Sequence, residues 1–144
     1  MSFDLSVIPN KNIVLAVTGG IAAYKSAILV RRLKDVGFNV RVVMTQGAQA
    51  FITPLTFQAL SGNPVHTELL NPEAEAGMGH IALARWADLL LVAPASCDTL
   101  AKFAAGLADD LLSTLYLATK SPVWVAPAMN QQMWAAKATQ RNLN

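Results

Sequence analysis

Short β-branched apolar runs alternate along the chain with amphipathic segments. Residues Asn12–Thr18 (NIVLAVT) form an apolar run that ends on Gly19-Gly20, the profile of a strand covered on both faces of a parallel sheet. From Ile21 the period becomes helical. Ile21, Ile28, Leu29, Leu33 and Val36 are predicted to share the inward stripe, with Arg31, Arg32, Lys34 and Asp35 facing away and Gly37 as a left-handed stop. Phe38–Met44 (FNVRVVM) reads as a second strand that closes on Thr45. A helix is predicted over Ala48–Leu60, with a fresh start near Thr53-Pro54, and Ser61-Gly62-Asn63-Pro64 is a turn. Segment 65–79 is less regular, and a short helix is expected from His80 to Trp86. Asp88–Ala93 is a third strand, followed by Pro94-Ala95-Ser96. Helices are expected over Thr99–Ala105 and Asp110–Ala118, a fourth strand over Pro122–Ala126 and a last helix over Gln131–Gln140.

This alternation specifies βαβ units, hence an α/β fold with an open parallel sheet and helices on both faces. At 144 residues the chain is expected to be one domain, residues 1–144. Four strands are few for such a sheet, so the expectation is a C-terminally truncated domain whose last strand lies beyond Asn144. The net charge of +2 gives no polyelectrolyte character for nucleic acid. Only 14% of residues are charged, against about 25% in soluble domains, and 53% are apolar. Part of the surface is therefore expected to be covered by another subunit or a cofactor. The apolar run Leu89–Ala95 is far short of the roughly 18–20 residues of a membrane span, and the N-terminus lacks the profile of a signal peptide, so a cytoplasmic location is expected. One cysteine, Cys97, forms no internal disulfide and no Cys-based zinc site, and two histidines without an acidic cluster give no metal site.

In open α/β sheets ligands bind outside the carboxyl ends of the strands. Those ends read Thr18-Gly19-Gly20, Thr45-Gln46-Gly47, Pro94-Ala95-Ser96-Cys97-Asp98-Thr99 and Pro127-Ala128-Met129-Asn130. The first serves equally as a tight strand-to-helix turn or as a phosphate loop at a helix N-terminus. The Walker pattern fails because Tyr24 stands at its second glycine, and the dinucleotide pattern fails because only Gly19 and Gly20 are present. What survives is a mononucleotide or another phosphate. His80, approached through Gly77-Met78-Gly79, reads as an ordinary helix-start or interface histidine or as a proton-transfer group. His66 is assigned to a surface loop. Asp109-Asp110 reads as a helix N-cap, Cys97 as a small buried residue, and Met129, Met133 and Trp134 as core or interface.

Five segments in order, VTGGIAAYK (Val17–Lys25), MTQGAQAFITPLTFQALSG (Met44–Gly62), GMGHIALARWAD (Gly77–Asp88), PASCDT (Pro94–Thr99) and PAMNQQMW (Pro127–Trp134), resemble the homo-oligomeric flavin-containing cysteine decarboxylases. The resemblance implies a Rossmann-like flavoprotein fold, bound FMN and a trimer or trimer-based homo-oligomer. It implies that Gly19, Gly20, Ile21 and Ser26 hold the FMN phosphate. Thr45, Gln46, Ser96, Cys97, Asp98, Thr99 and Ala128 would line the flavin. His80 looks like the family's active-site base, Asn130 like the residue that binds and orients the substrate carboxylate, and Met133 like a second substrate contact. The implied activity is decarboxylation of 4′-phosphopantothenoylcysteine to 4′-phosphopantetheine in coenzyme A biosynthesis, by thiol oxidation to a thioaldehyde, CO2 loss and re-reduction of the enethiol. Asp98 departs from the asparagine of the family's PASANT-type segment. The family's flap cysteine is expected beyond residue 144, and Cys97 does not take that role. Alternatives are a non-catalytic FMN-binding regulatory subunit, a peptide cysteine decarboxylase and a flavin prenyltransferase; the His80–Asn130 pair disfavours the last.

Overall fold

The four apolar runs become parallel strands β1 (Asn12–Val17), β2 (Asn39–Met44), β3 (Leu89–Ala95) and β4 (Val123–Pro127), in spatial order β2-β1-β3-β4. This computed structural model describes residues 12–69 and 79–144. The register runs Asn12–Asn39 through Val17–Met44 on one side of β1 and Ile13–Leu89 through Ala16–Val92 on the other. From β1 the chain first crosses to β2 and later returns to β3 on the opposite side. The carboxyl ends of β1 and β3 therefore flank a topological switch point, where an open sheet parts its loops into a crevice.

Because β side chains alternate, each strand feeds two cores. Ile13, Leu15 and Val17 pack with Val42, Met44, Leu89 and Leu91 beneath α1 (Ala23–Asp35) and α2 (Pro54–Ser61). Val14, Ala16, Leu90 and Val92 pack on the other face, beneath α3 (His80–Trp86), α4 (Cys97–Ala105) and α5 (Leu111–Ala118). Each fully buried Val or Leu contributes about 1.5–3 kcal/mol relative to exposure, so the central strands carry most of the stabilisation. The chain ends in α6 (Gln131–Ala135) and α7 (Lys137–Asn142). Among the described residues no helix is long and apolar enough to cross a membrane.

Three local expectations are corrected. The inward stripe of α1 is Ala23, Ser26, Val30 and Leu33, whereas Ile21, Ile28 and Val36 are 79%, 55% and 62% exposed. The helix rests on the sheet through small side chains at its start, and this leaves Ile21, Tyr24 and Ile28 outside. His66 is buried, at 5% exposure, not in a surface loop. After Pro64 the chain forms a parallel bridge to β2, in which the His66 amide donates to Val42 (2.9 Å) and the Met44 amide donates to His66 (2.9 Å). An edge that would otherwise stand open is thereby covered. Finally, the helix over Gln131–Gln140 is two, because Ala136 takes an extended ψ of 138° between α6 and α7. The restart at Thr53-Pro54 is present: a 3-10 turn over Ala48–Ala50 precedes α2, whose first residue is Pro54.

Candidate functional site

A cleft of about 860 Å³ opens at the switch point. Its floor is backbone. Gly19 lies so close to Gly47 that a Cβ on Gly19 would stand 3.2 Å from the Gly47 carbonyl carbon. Gly20 follows at φ 152°, a conformation that side chains resist. α1 then begins with no side-chain cap, and the amides of Gly20, Ile21 and Ala22 have no acceptor among the described residues. Three free N–H groups at the head of a 13-residue helix make an anion cradle.

The second wall is the loop after β2. The Thr45 amide donates to Val17 (3.1 Å), and its hydroxyl accepts from the Ala48 amide (3.2 Å), which closes the 3-10 turn. The third wall is the β3–α4 turn. Ser96 is the N-cap of α4, with Oγ accepting from the Thr99 amide at 3.1 Å and bonded to the Thr99 hydroxyl at 3.0 Å. Asp98 and Thr99 continue that wall, and Lys102 lies one turn further along α4. Asp109 and Asp110 approach from the start of α5. Asp110 is the N-cap there, in a reciprocal box with Ser113, as its position before an apolar run predicts. Lys102 Nζ lies 3.3 Å from Asp109, 3.7 Å from Asp110 and 3.8 Å from Asp98. Burial acts to lower the Lys102 pKa, but the Asp109 hydrogen bond and the charges of Asp110, Asp109 and Asp98 outweigh it and raise the ammonium above its ordinary range.

Of the residues predicted for cofactor binding, the cleft brings together Gly19, Thr45, Gln46, Ser96, Asp98 and Thr99. Gly20 and Ile21 form the adjoining turn into α1. Ser26 lies beneath it, 3% exposed, its hydroxyl donating to the Ala93 carbonyl at 2.6 Å. That single proton is committed inside the protein, so Ser26 does not point a donor at the cradle. Cys97 is half-buried and sits 3.4 Å from the Thr139 hydroxyl, linking α4 to α7. The Ala128 amide donates to Ala95 (3.1 Å), which folds the β4 loop back over β3.

His80, Asn130 and Met133 are not in the cleft walls. His80 is the half-buried first residue of α3, and α3 precedes β3 by a two-residue connection, so it starts toward the carboxyl edge. Gly77 and Met78, in the approach to His80, lie outside the described residues. Asn130 is exposed and caps α6, its Oδ1 accepting from the Met133 amide at 2.8 Å. Met133 is 43% exposed. Sequence reasoning missed Gly47, Lys102, Asp109 and Asp110 as wall residues. Gly47 was visible as the glycine closing the second strand end, but its contact with Gly19 is a property of the packed loops.

The family model described as Flavoprotein matches residues 4–144. The coenzyme A biosynthesis bifunctional protein CoaBC of Escherichia coli (strain K12) is 63% identical over 133 residues, covering 92% of this chain and 33% of that protein. The CoaBC of Bacillus subtilis (strain 168) is 47% identical over 135 residues, 94% of this chain and 33% of the relative. The chain thus spans about a third of the length of the curated relatives it matches. Among solved structures, the FMN-dependent cysteine decarboxylase SpaF superposes with a TM-score of 0.86 at 35% identity, covering 95% of this chain and 79% of that one. A cysteine-to-serine mutant of PPC decarboxylase, complexed with pantothenoylaminoethenethiol, gives 0.74 at 34% identity, covering 92% and 74%. A parallel sheet split at a glycine-floored cleft, and a family match over almost the whole length, lead to one conclusion: the chain belongs to the Flavoprotein family.

Proposed function

We propose that the chain binds FMN at the switch-point cleft and decarboxylates 4′-phosphopantothenoylcysteine to 4′-phosphopantetheine, a step of coenzyme A biosynthesis. The single observation that carries the reading is the glycine-floored cleft beside three unpaired amides at the head of α1. The residues fit the cofactor: the Gly19–Gly47 contact leaves no room for a Cβ, and the amides supply donors for a phosphate without a cationic side chain. Bound FMN would supply the two-electron oxidation of the substrate thiol, and the oxidised substrate can then take up the electrons left by the departing CO2.

The chain's own residues hold and orient. Backbone amides of Gly20 and Ile21 take the phosphate; Thr45, Gln46, Ser96, Asp98 and Thr99 flank the ring system. Ser26 supports the cradle from beneath through Ala93. His80 moves a proton at the substrate. The Asn130 Nδ2 is left over from capping and is free to donate to a carboxylate, while Met133 offers an apolar contact beside it. Coenzyme A precursors are made inside the cell, and we place the protein in the cytoplasm. Ile21, Tyr24 and Ile28, at the start and on the outer face of α1, and the exposed Phe51 and Leu55 offer apolar surface suited to a homotrimer contact.

The test is reconstitution with saturating FMN followed by incubation with 4′-phosphopantothenoylcysteine. A flavin absorption spectrum with release of CO2 is expected; no retained flavin overturns the reading. Retained flavin with no turnover leaves FMN binding and removes the catalytic claim.

A further inference from the structure

On the flavin-binding reading proposed above, we infer that the Thr18 hydroxyl is a positioning residue that fixes the gap between the two walls of the cleft. The β3–β4 ladder runs from Leu90–Val123 to Val92–Val125, slips, and resumes at Ala95–Pro127. The β1–β3 ladder ends at Ala16–Val92. The Ala93 carbonyl therefore falls beyond the regular ladder, where a buried carbonyl without a partner is costly, and the Pro94 carbonyl is held by the Thr18 amide at 3.3 Å. Two buried hydroxyls take them in succession. Ser26 donates to Ala93 at 2.6 Å and Thr18 donates to Pro94 at 2.6 Å.

The Thr18 hydroxyl does more than reinforce its own amide's bond to Pro94. Its Oγ1 also accepts from the Ser96 amide at 2.8 Å, so one oxygen bridges the residues before and after Ala95. The turn is wrapped around that atom. Ser96 in turn caps α4 and holds Thr99, and Ser96, Asp98 and Thr99 are the third wall. The peptide that follows Thr18 is Gly19, the floor of the first wall. The two walls thus share one fully buried oxygen atom, which touches neither the cleft nor the anion cradle.

Thr18→Val keeps the side-chain shape and removes both hydroxyl bonds, whereas Thr18→Ser keeps the hydroxyl. For each we would measure the FMN dissociation constant by flavin fluorescence, the thermal midpoint, and Ser96 amide exchange in the flavin-free protein. Thr18→Val is expected to weaken FMN binding by about 10–100-fold, since two modest hydrogen bonds are lost, and to speed Ser96 exchange. Thr18→Ser is expected to stay within about threefold of the wild type. The inference is overturned by FMN affinity in Thr18→Val within about twofold of wild type, even if the thermal midpoint falls, because the hydroxyl is then only structural. It is also overturned by unchanged Ser96 exchange, or by Thr18→Ser failing as badly as Thr18→Val. Should Thr18→Val not fold, Thr18→Ser decides: wild-type affinity and Ser96 protection support the inference, and loss of either overturns it. A wild-type chain that takes up no FMN removes the flavin reading and this inference with it, whereas normal wild-type binding with an unaffected Thr18→Val removes the inference alone.

Discussion

β1 and β3 carry the middle of the carboxyl edge on residues that are buried almost without exception, whereas every residue of β4 is only half-buried. The contrast widens beyond the strands. The loops after β1 and β3 are tied through Thr18 and Ser96, and the loop after β2 is tied to β1 by the Thr45 amide's bond to Val17. After β4, α6 buries no residue and α7 buries only Thr139. The proposed cofactor side is thus held by a dense set of tertiary contacts, and the proposed substrate side by local caps and a few ties, Cys97 to Thr139 and Ala128 to Ala95. Binding of FMN should be robust to changes that abolish turnover. Substitutions can break that separation or sharpen it.

The largest expected effect is at His80. His80→Asn should lower CO2 release by about 10²–10⁴-fold and leave FMN affinity at the wild-type value, because His80 is not in the cleft walls. Stopped assays of CO2 evolution, run beside flavin titrations, separate the two. Wild-type turnover in the variant removes His80 from the reaction. Lost flavin would instead show that the two sides are not independent.

How much of this was readable in advance depended on whether a signal was local. β1 and β3 were legible as apolar runs buried on both faces, whereas β2, interrupted by Arg41, and the half-buried β4 were legible as short β-branched runs between turn signals. Asp110 was legible as a cap because capping is settled within three residues. The inward face of α1 was not, because the helix sits on Ala23 and Ser26, and size, not hydrophobicity, decided which side faced the sheet. Nor was Ser26's role visible, since its partner Ala93 lies 67 residues away. His66 was misread for the same reason: the β2 edge that covers its backbone comes from elsewhere in the chain. The family motifs identified which loops meet, but not that Gly19 and Gly47 meet backbone to backbone.

That contact supplies the next effect in size. Gly19→Ala places a methyl 3.2–3.4 Å from the backbone of Gly47, closer than ordinary packing, and the neighbour is a peptide that cannot swing aside. Overpacking of this kind costs about 1–3 kcal/mol, and FMN affinity should fall by roughly tenfold or more. Equilibrium titration reads it. An unchanged affinity would mean that the floor of the cleft is not where the cofactor lies.

On the other side, Asn130→Ala removes the Met133 cap and should cost about 1 kcal/mol of local stability. Amide exchange should quicken over residues 131–142 while β1 and β3 stay protected. KM for the substrate should rise with FMN affinity unchanged. Loss of protection in β1 would contradict the division drawn between the two regions.

The smallest effect tests the charged wall. Lys102 is held by Asp109, Asp110 and Asp98, and its pKa lies above the ordinary lysine value of 10.5. A group whose pKa is raised by folding stabilises the native state fully below its unfolded value, and that contribution is lost as pH climbs through the folded one. Lys102→Met should therefore be less stable than wild type at neutral pH, and the difference should shrink above about pH 10.5 as the wild-type ammonium loses its proton. The magnitude is modest, about 0.5 kcal/mol, because Asp98 and Asp109 are 80% and 56% exposed and water screens them. Urea midpoints of both proteins from about pH 8 to 12 give the comparison. A gap that stays constant across that range would mean that Lys102 stabilises through its buried methylenes alone, and the three aspartates would then be neighbours of the lysine without being its partners.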